Sequence, residues 1–240
     1  MTASFDPSQA LRQVRSRIDA AARASGRVSG DVALLAVSKL QPEEKLRALF
    51  AAGQRSFGEN YVQEALDKMS AFAAMATITP PQGDIEWHLI GPLQSNKTRV
   101  VAEHFQWVHS VDRLKIAERL SAQRPAQLPP LNICVQVNIS AEASKSGCSP
   151  DQAIALICAA SSLPQLCVRG FMGMPAPGVG EAATRAQFMR LADLLSLAKS
   201  RLAGLDTLSM GMSDDLELAV ACGSTMVRVG TALFGVRAPV

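Results

Sequence analysis

The sequence predicts an α/β fold: a single (β/α)8 TIM barrel, residues 1–240, with an extra N-terminal helix. Three observations predict it. Short apolar runs alternate with helical stripes along the whole chain, which implies parallel strands with helical crossovers. About eight such units fit into 240 residues, the usual size of a barrel of this kind. Unusual polar residues stand at or near the predicted C-terminal ends of seven different strands: Lys39, Asn60, His88, Ser110, Asn138, Ser209 and Arg228. A barrel gathers those ends around one mouth. A doubly wound open sheet, the alternative, spreads them along an edge.

The elements follow in order. Apolar Leu11, Val14 and Ile18 are spaced by three and four, so Pro7–Ala24 reads as a helix, with Asp6 as N-cap and proline in its first turn. The apolar run 32–37 suits a strand buried on both faces. A helix over 42–52 ends at Gly53; 56–60 is a short strand and 62–75 a helix. The segment 77–84, with two prolines, reads as a loop. Strand 86–91 leads to a helix over 95–104, and strand 107–111 to a helix over 113–123. A proline-rich connection, 124–130, precedes strand 131–139 and helix 150–162. Strand 168–174 is followed by a long helix over 181–202. Strand 205–211, a short helix over 214–221 and a last strand, 226–229, complete the count.

Composition narrows the function. Lys+Arg number 24 against Asp+Glu 21, a net charge of +3, and the basic residues are interleaved with acids. No basic stripe calls for nucleic acid or an acidic membrane surface. No apolar run approaches the roughly 18–20 residues that span a bilayer, and the N-terminus lacks the apolar region of a secretory signal. The five cysteines, Cys134, Cys148, Cys158, Cys167 and Cys222, are odd in number and form no C-x-x-C pair. They read as reduced, mostly buried thiols of a cytoplasmic protein. In that compartment the sequon Asn138-Ile-Ser140 is a chance match.

Lys39 ends an apolar strand, where partial desolvation makes an amine a better nucleophile; a snorkelling lysine is the plainer alternative. Ser209-Met-Gly-Met-Ser213-Asp214-Asp215 runs from a strand into a helix, with Ser213 as the expected N-cap. It reads either as a well-capped helix or as an anion site of backbone N–H groups. Gly230 and Thr231, after the last strand, offer two more N–H donors and a hydroxyl. Phosphate sites after strands seven and eight are frequent in barrels. A lysine on strand one facing a phosphate cup suggests a phosphorylated aldehyde, and pyridoxal 5′-phosphate (PLP), bound as a Schiff base, is the obvious candidate.

Six segments carry a family resemblance: Ala36-Val-Ser-Lys39, Phe57-Gly-Glu-Asn-Tyr-Val-Gln-Glu64, Trp87-His-Leu-Ile-Gly-Pro-Leu-Gln-Ser-Asn-Lys97, Gly170-Phe-Met-Gly-Met174, Leu208-Ser-Met-Gly-Met-Ser-Asp214 and Val227-Arg-Val-Gly-Thr-Ala-Leu-Phe-Gly235. Together, and in this order, they resemble the pyridoxal-phosphate homeostasis proteins over essentially the whole chain. The resemblance implies a barrel similar to the N-terminal domain of alanine racemase, with PLP linked to Lys39. It further implies that Ser213, Gly230 and Thr231 hold the phosphate, while Asn60 and Arg228 lie near the ring. Met172, Met174, Met210 and Met212 are expected to pack around the ring and the barrel interior rather than to bind metal, and Met210 is counted with the cofactor-binding residues.

By analogy with the racemase barrel, Arg228 faces the pyridine nitrogen. Arginine stays protonated, so it leaves that nitrogen unprotonated and the ring a poorer electron sink. The expected function is therefore holding, buffering or delivering PLP, with PLP-dependent apoenzymes as recipients, and not efficient catalysis. A PLP-dependent racemase or decarboxylase is the alternative. Such enzymes add a β domain and a dimer partner, and the chain ends soon after the last motif, which favours a monomeric non-enzyme. A sugar-phosphate barrel using Lys39 for aldol chemistry explains the lysine but not the motif set. His88 and His109 are read as polar lining or structural hydrogen bonding, and His104 as facing solvent. Lys145, in a loop at the mouth, is either an attractor of anions or simply solvated.

Overall fold

In a computed structural model, which describes residues 6–76, 84–140, 142 and 145–235, eight parallel strands close into a barrel in chain order. The strands are β1 (Ala33–Val37), β2 (Ser56–Glu59), β3 (Glu86–Leu89), β4 (Trp107–Val111), β5 (Leu131–Val137), β6 (Leu166–Gly173), β7 (Thr207–Ser209) and β8 (Met226–Val229). Closure is the pairing of β8 with β1, from Ala33 opposite Met226 to Ala36 opposite Val229. The open-sheet alternative is thereby excluded.

Helices cover the outside: α1 (Pro7–Ala24), α2 (Glu43–Ala51), α3 (Val62–Ala76), α4 (Thr98–His104), α5 (Leu114–Gln123), α6 (Pro150–Ser161), α7 (Glu181–Lys199), α8 (Leu216–Ala221) and α9 (Thr231–Phe234). The extra helix α1 starts as expected, with Asp6 Oδ1 accepting from the Gln9 N–H. Its stripe of Leu11, Val14 and Ile18 is buried against Leu216 and Val220 of α8 and Leu233 and Phe234 of α9.

Most differences from the sequence reading lie at element ends. The strand expected over 205–211 is only Thr207–Ser209, and the helix expected over 95–104 opens with a 3-10 turn, Ser95–Lys97. Helix α9 has no counterpart in the reading, because four residues carry no measurable period. The loop expected over 77–84 lies, up to residue 83, outside the described residues.

The core is layered as a barrel requires. Strand residues such as Ala36 and Phe57 face the helices, whereas Leu35, Trp107, Cys134, Met172 and Met226 form a separate cluster. Gly170 lets β6 pass close to β7: a Cβ there would lie 2.0 Å from the Thr207 carbonyl oxygen, and its φ is +150°. All five cysteines are free; Cys134, Cys148 and Cys222 are buried, and Cys167 is exposed. Among the described residues no helix is long and apolar enough to cross a membrane.

Candidate functional site

The C-terminal ends of the strands surround a cavity of about 490 Å³. Lys39, Asn60, Ser213, Arg228, Gly230 and Thr231 all line it, so the barrel brings together six residues that lie 192 positions apart at the extremes (231 − 39). Asn138 and Lys145 line it as well.

Lys39 is half-buried, two residues beyond β1, in a turn clamped on both sides. Before it, the Ser38 hydroxyl donates to Glu59 Oε1 at 2.6 Å, and the Ser38 carbonyl accepts from Lys68 Nζ at 2.7 Å. After it, the Leu40 N–H donates to Glu64 Oε1 at 2.6 Å, and Lys68 bridges Glu59 and Glu64 at 2.7 Å each. Leu40 has φ +56°, a left-handed backbone that non-glycine residues rarely adopt, and this network holds it there. Burial pushes the Glu59 carboxyl up, and the Lys68 ammonium and the Ser38 hydroxyl oppose that shift. Sequence reasoning missed this clamp, although Glu64 and Lys68 stand four apart on α3, the spacing of a helical ion pair.

Asn60 follows β2. Its Oδ1 is buried and, among the described residues, accepts no hydrogen bond. Such an orphan acceptor on a cavity wall is suited to a ligand donor. The chain after β3 passes directly over it: a Cβ at Gly91 would lie 2.2 Å from the Asn60 carbonyl oxygen.

On the opposite wall, Ser213 does not cap the helix after it. That helix begins at Leu216 with Asp215 as N-cap residue, and the Ser213 hydroxyl accepts from the Ala232 N–H at 3.4 Å. This contact ties the loop after β7 to the turn after β8, where Gly230 and Thr231 sit. Arg17 of α1 holds the same loop from outside, donating to the Ser213 carbonyl at 2.9 Å and pairing with Glu217 at 2.7 Å.

Arg228 projects from β8 into the cavity floor and is almost fully buried. It donates to the Ser209 carbonyl, to Ser209 Oγ at 2.9 Å and to the Gly173 carbonyl at 3.2 Å. Among the described residues no carboxylate forms a salt bridge with it. Burial lowers its pKa to about 10, opposed by the field of Asp215, so it stays protonated at neutral pH.

The structure sorts the other sequence candidates. Met210 is buried in the outer core beside Leu205 and Leu208, and Met212 and Met174 line the cavity instead. The hydropathy of the Met-Gly-Met segment could not distinguish the two faces. His88 and His109 lie inside the barrel with no exposure, and Ser110 is buried too. His104 is exposed. Lys145 is no free solvated side chain: its Nζ donates to the Pro175 carbonyl at 3.0 Å and lies 3.7 Å from Glu142. Among the described residues no group of three or more His, Cys, Asp or Glu is placed to hold a metal ion.

A parallel barrel with a lysine after β1 and a polar cup beyond β7 and β8 defines the alanine racemase N-terminal domain class, and that family's profile matches residues 10–238. Alanine racemase from Corynebacterium glutamicum shares the fold, with a TM-score of 0.67 at 16% identity, over 95% of this chain and 61% of the racemase. Closer relatives narrow the class. The pyridoxal phosphate homeostasis protein of Pseudomonas aeruginosa is 57% identical, covering 95% of this chain and 94% of its own. That of Escherichia coli K12 is 51% identical, with 95% of each chain covered. PipY from Synechococcus elongatus, solved with PLP bound, superposes with a TM-score of 0.79 at 38% identity, over 95% of this chain and 100% of PipY. The chain belongs to the pyridoxal phosphate homeostasis protein family.

Proposed function

We propose that this chain is a single PLP-holding domain, residues 1–240, which keeps the cofactor at its barrel mouth for intracellular PLP homeostasis. The observation that carries the reading is the convergence of Lys39, Arg228 and the Ser213–Gly230–Thr231 cup on one cavity, beside an orphan acceptor at Asn60. The family relationship and the PLP-bound PipY structure support it.

The residues fit the group. A bound PLP offers an aldehyde carbon to a primary amine and a dianionic phosphate to hydrogen-bond donors. Lys39 supplies the amine, and its clamped turn fixes where that amine stands. The Ser213 hydroxyl and the Gly230 and Thr231 turn supply donors for the phosphate. Asn60 Oδ1 is available to accept from a ring hydroxyl. Arg228 would donate to the ring nitrogen, and a guanidinium has no lone pair with which to accept a proton from it.

The rest of the cavity argues against efficient amino-acid chemistry, because removal of an α-carbon proton calls for a positioned base. The only tyrosine, Tyr61, has about half its surface exposed (54%) and is not on the cavity wall. We read the protein as a cytoplasmic monomer that holds, buffers or delivers PLP to apoenzymes, with no efficient turnover of its own.

Borohydride treatment of the PLP-loaded protein, followed by peptide mass mapping, tests the assignment. The expected adduct lies on Lys39 and disappears in Lys39→Ala. An adduct on another lysine in the variant overturns the assignment.

A further inference from the structure

A second polar system runs through the barrel interior, and the function just described does not use it. His88 of β3 and His109 of β4 face each other, with His88 Nδ1 2.9 Å from His109 Nε2. On one side His88 Nε2 lies 3.0 Å from Glu86 Oε2. On the other, His109 Nδ1 lies 2.8 Å from Ser209 Oγ, which stands 2.9 Å from a guanidinium nitrogen of Arg228. The line is unbroken. It begins at a cavity-lining cation and ends on the first residue of β3, at the opposite mouth of the barrel, where the Glu86 side chain is 42% exposed.

Its two ends fix its direction. A guanidinium only donates, and an ionised carboxylate only accepts. Burial pushes the Glu86 carboxyl up, but the hydrogen bonds from His88, from the Trp107 indole at 2.8 Å and from the Ser56 hydroxyl at 3.3 Å outweigh it and hold the group below the usual carboxylate range. Glu86 is therefore a carboxylate, and His88 must donate to it from Nε2. Burial pushes both imidazoles below the ordinary 6.5, against the opposing pull of the Glu86 carboxylate on His88 and with the field of the Arg228 guanidinium adding to the effect at His109, so both rings are neutral above about pH 7. A neutral His88 then accepts at Nδ1, so His109 donates from Nε2 and accepts at its own Nδ1. The proton of the Ser209 hydroxyl goes to that nitrogen, which leaves the Ser209 oxygen to accept from Arg228. All four hydrogen bonds point from the arginine to the carboxylate. Protonating either ring would set two N–H groups against each other or leave a buried donor without an acceptor.

The other groups that bear on the line do not reverse it. The Trp107 indole stacks on the His88 ring at 5.2 Å and 9°. Burial pushes the Cys134 thiol up and the field of Asp206 adds to the shift, so it is neutral despite the Arg169 and Arg228 guanidiniums nearby. Asp215 acts on Arg228 only through its field.

We infer that Glu86, His88, His109 and Ser209 are positioning residues for Arg228: a one-way hydrogen-bonded chain that aims the guanidinium into the cavity and couples it to a carboxylate at the far end of the barrel. The inference rests on the reading that Arg228 faces bound PLP. Shuttling a proton is not its role, because reversing the chain would take a proton from a guanidinium that is never free of one at neutral pH.

The test starts without ligand. In protein labelled with 15N-histidine, long-range proton–nitrogen correlations report which ring nitrogen carries the proton. Both His88 and His109 are expected neutral and protonated at Nε2 at about pH 7–8. A proton on Nδ1 of either ring at about pH 7–8 overturns the chain. This result stands whether or not PLP binds, so it separates failure of the chain from failure of the proposed function. Glu86→Gln then replaces a pure acceptor by a group that also donates. A mixture of tautomers is expected, with a shifted absorbance of bound PLP or a change in its dissociation constant of roughly threefold or more. Unchanged tautomers, or changed tautomers with unchanged PLP absorbance and affinity, overturn the positioning role. Should the variant not fold, the wild-type tautomers decide.

Discussion

At the scale of single residues, Ser213 and the buried histidines carry the sharpest expectations. Ser213 was legible as a residue of the cavity but not as the bridge to Ala232, because a contact between two loops leaves no local pattern. Ser213→Ala is expected to weaken PLP binding by about 1.5–3 kcal/mol, the worth of a hydrogen bond to a charged group. Titration with PLP and with dephosphorylated pyridoxal checks it, and only the phosphorylated ligand should lose affinity. His88 and His109 are both held neutral, with pKa values below the ordinary 6.5. For such depressed bases the unfolded chain binds more protons than the folded one once the pH drops below about 6.5. Their contribution to stability is thus intact above that pH and lost as the pH falls. Each histidine that takes up a proton on unfolding steepens that fall by up to about 1.4 kcal/mol per pH unit. Urea titrations between about pH 7 and pH 5 check the slope, and His109→Phe, if folded, should make it shallower.

At the scale of elements, the strands and helices were legible because their periods differ. Trp107–Val111 and Met226–Val229 agree with the sequence reading residue for residue, as does α1. The ends of the other elements were not legible, since where a strand stops depends on its neighbour's register. Only Ser209 of β7, for example, finds a partner on β8, at Met226. The clamp behind Lys39 spans β1, β2 and α3, and only its ion pair within α3 had a sequence signal. The junction of β2 and β3 gives a test at this scale. Gly91→Ala would force a methyl group onto the Asn60 backbone, so something must shift. A destabilisation of about 1–3 kcal/mol is expected, as for other overpacked sites, together with weakened PLP binding through displacement of Asn60. Chemical denaturation and PLP titration of the same variant read both effects.

At the scale of the whole molecule, barrel closure is what turned scattered strand-end residues into one site. Of the seven polar residues that the sequence reading put at strand ends, Lys39, Asn60, Asn138 and Arg228 line the cavity, whereas His88, Ser110 and Ser209 are buried in the barrel, because hydropathy marks a polar interruption without saying which way it points. That reading had His88 and His109 as polar lining or structural hydrogen bonding but did not join them to Glu86 and Ser209, because inside strands hydropathy shows only isolated polar residues. The whole-protein expectation is slow chemistry. The PLP-loaded protein, offered a panel of L- and D-amino acids and followed by chiral chromatography, should show no Lys39-dependent turnover as fast as roughly 1 s⁻¹, the lower end of ordinary enzyme rates. Turnover above that would favour the racemase alternative.

Closure also has a history in time. The stripe of α1 is buried by α8 and α9, and the outer edge of β1 is paired only by β8. A ribosome making this chain at about 5–20 residues per second leaves the first strand without that partner for roughly 10–40 seconds. Throughout that interval the nascent protein presents an open sheet edge and a greasy helix to its surroundings. Such long-range pairing is slow to form and exposed to aggregation while it waits. The same seam that gives the finished molecule its single mouth makes its first 37 residues the last to be sheltered.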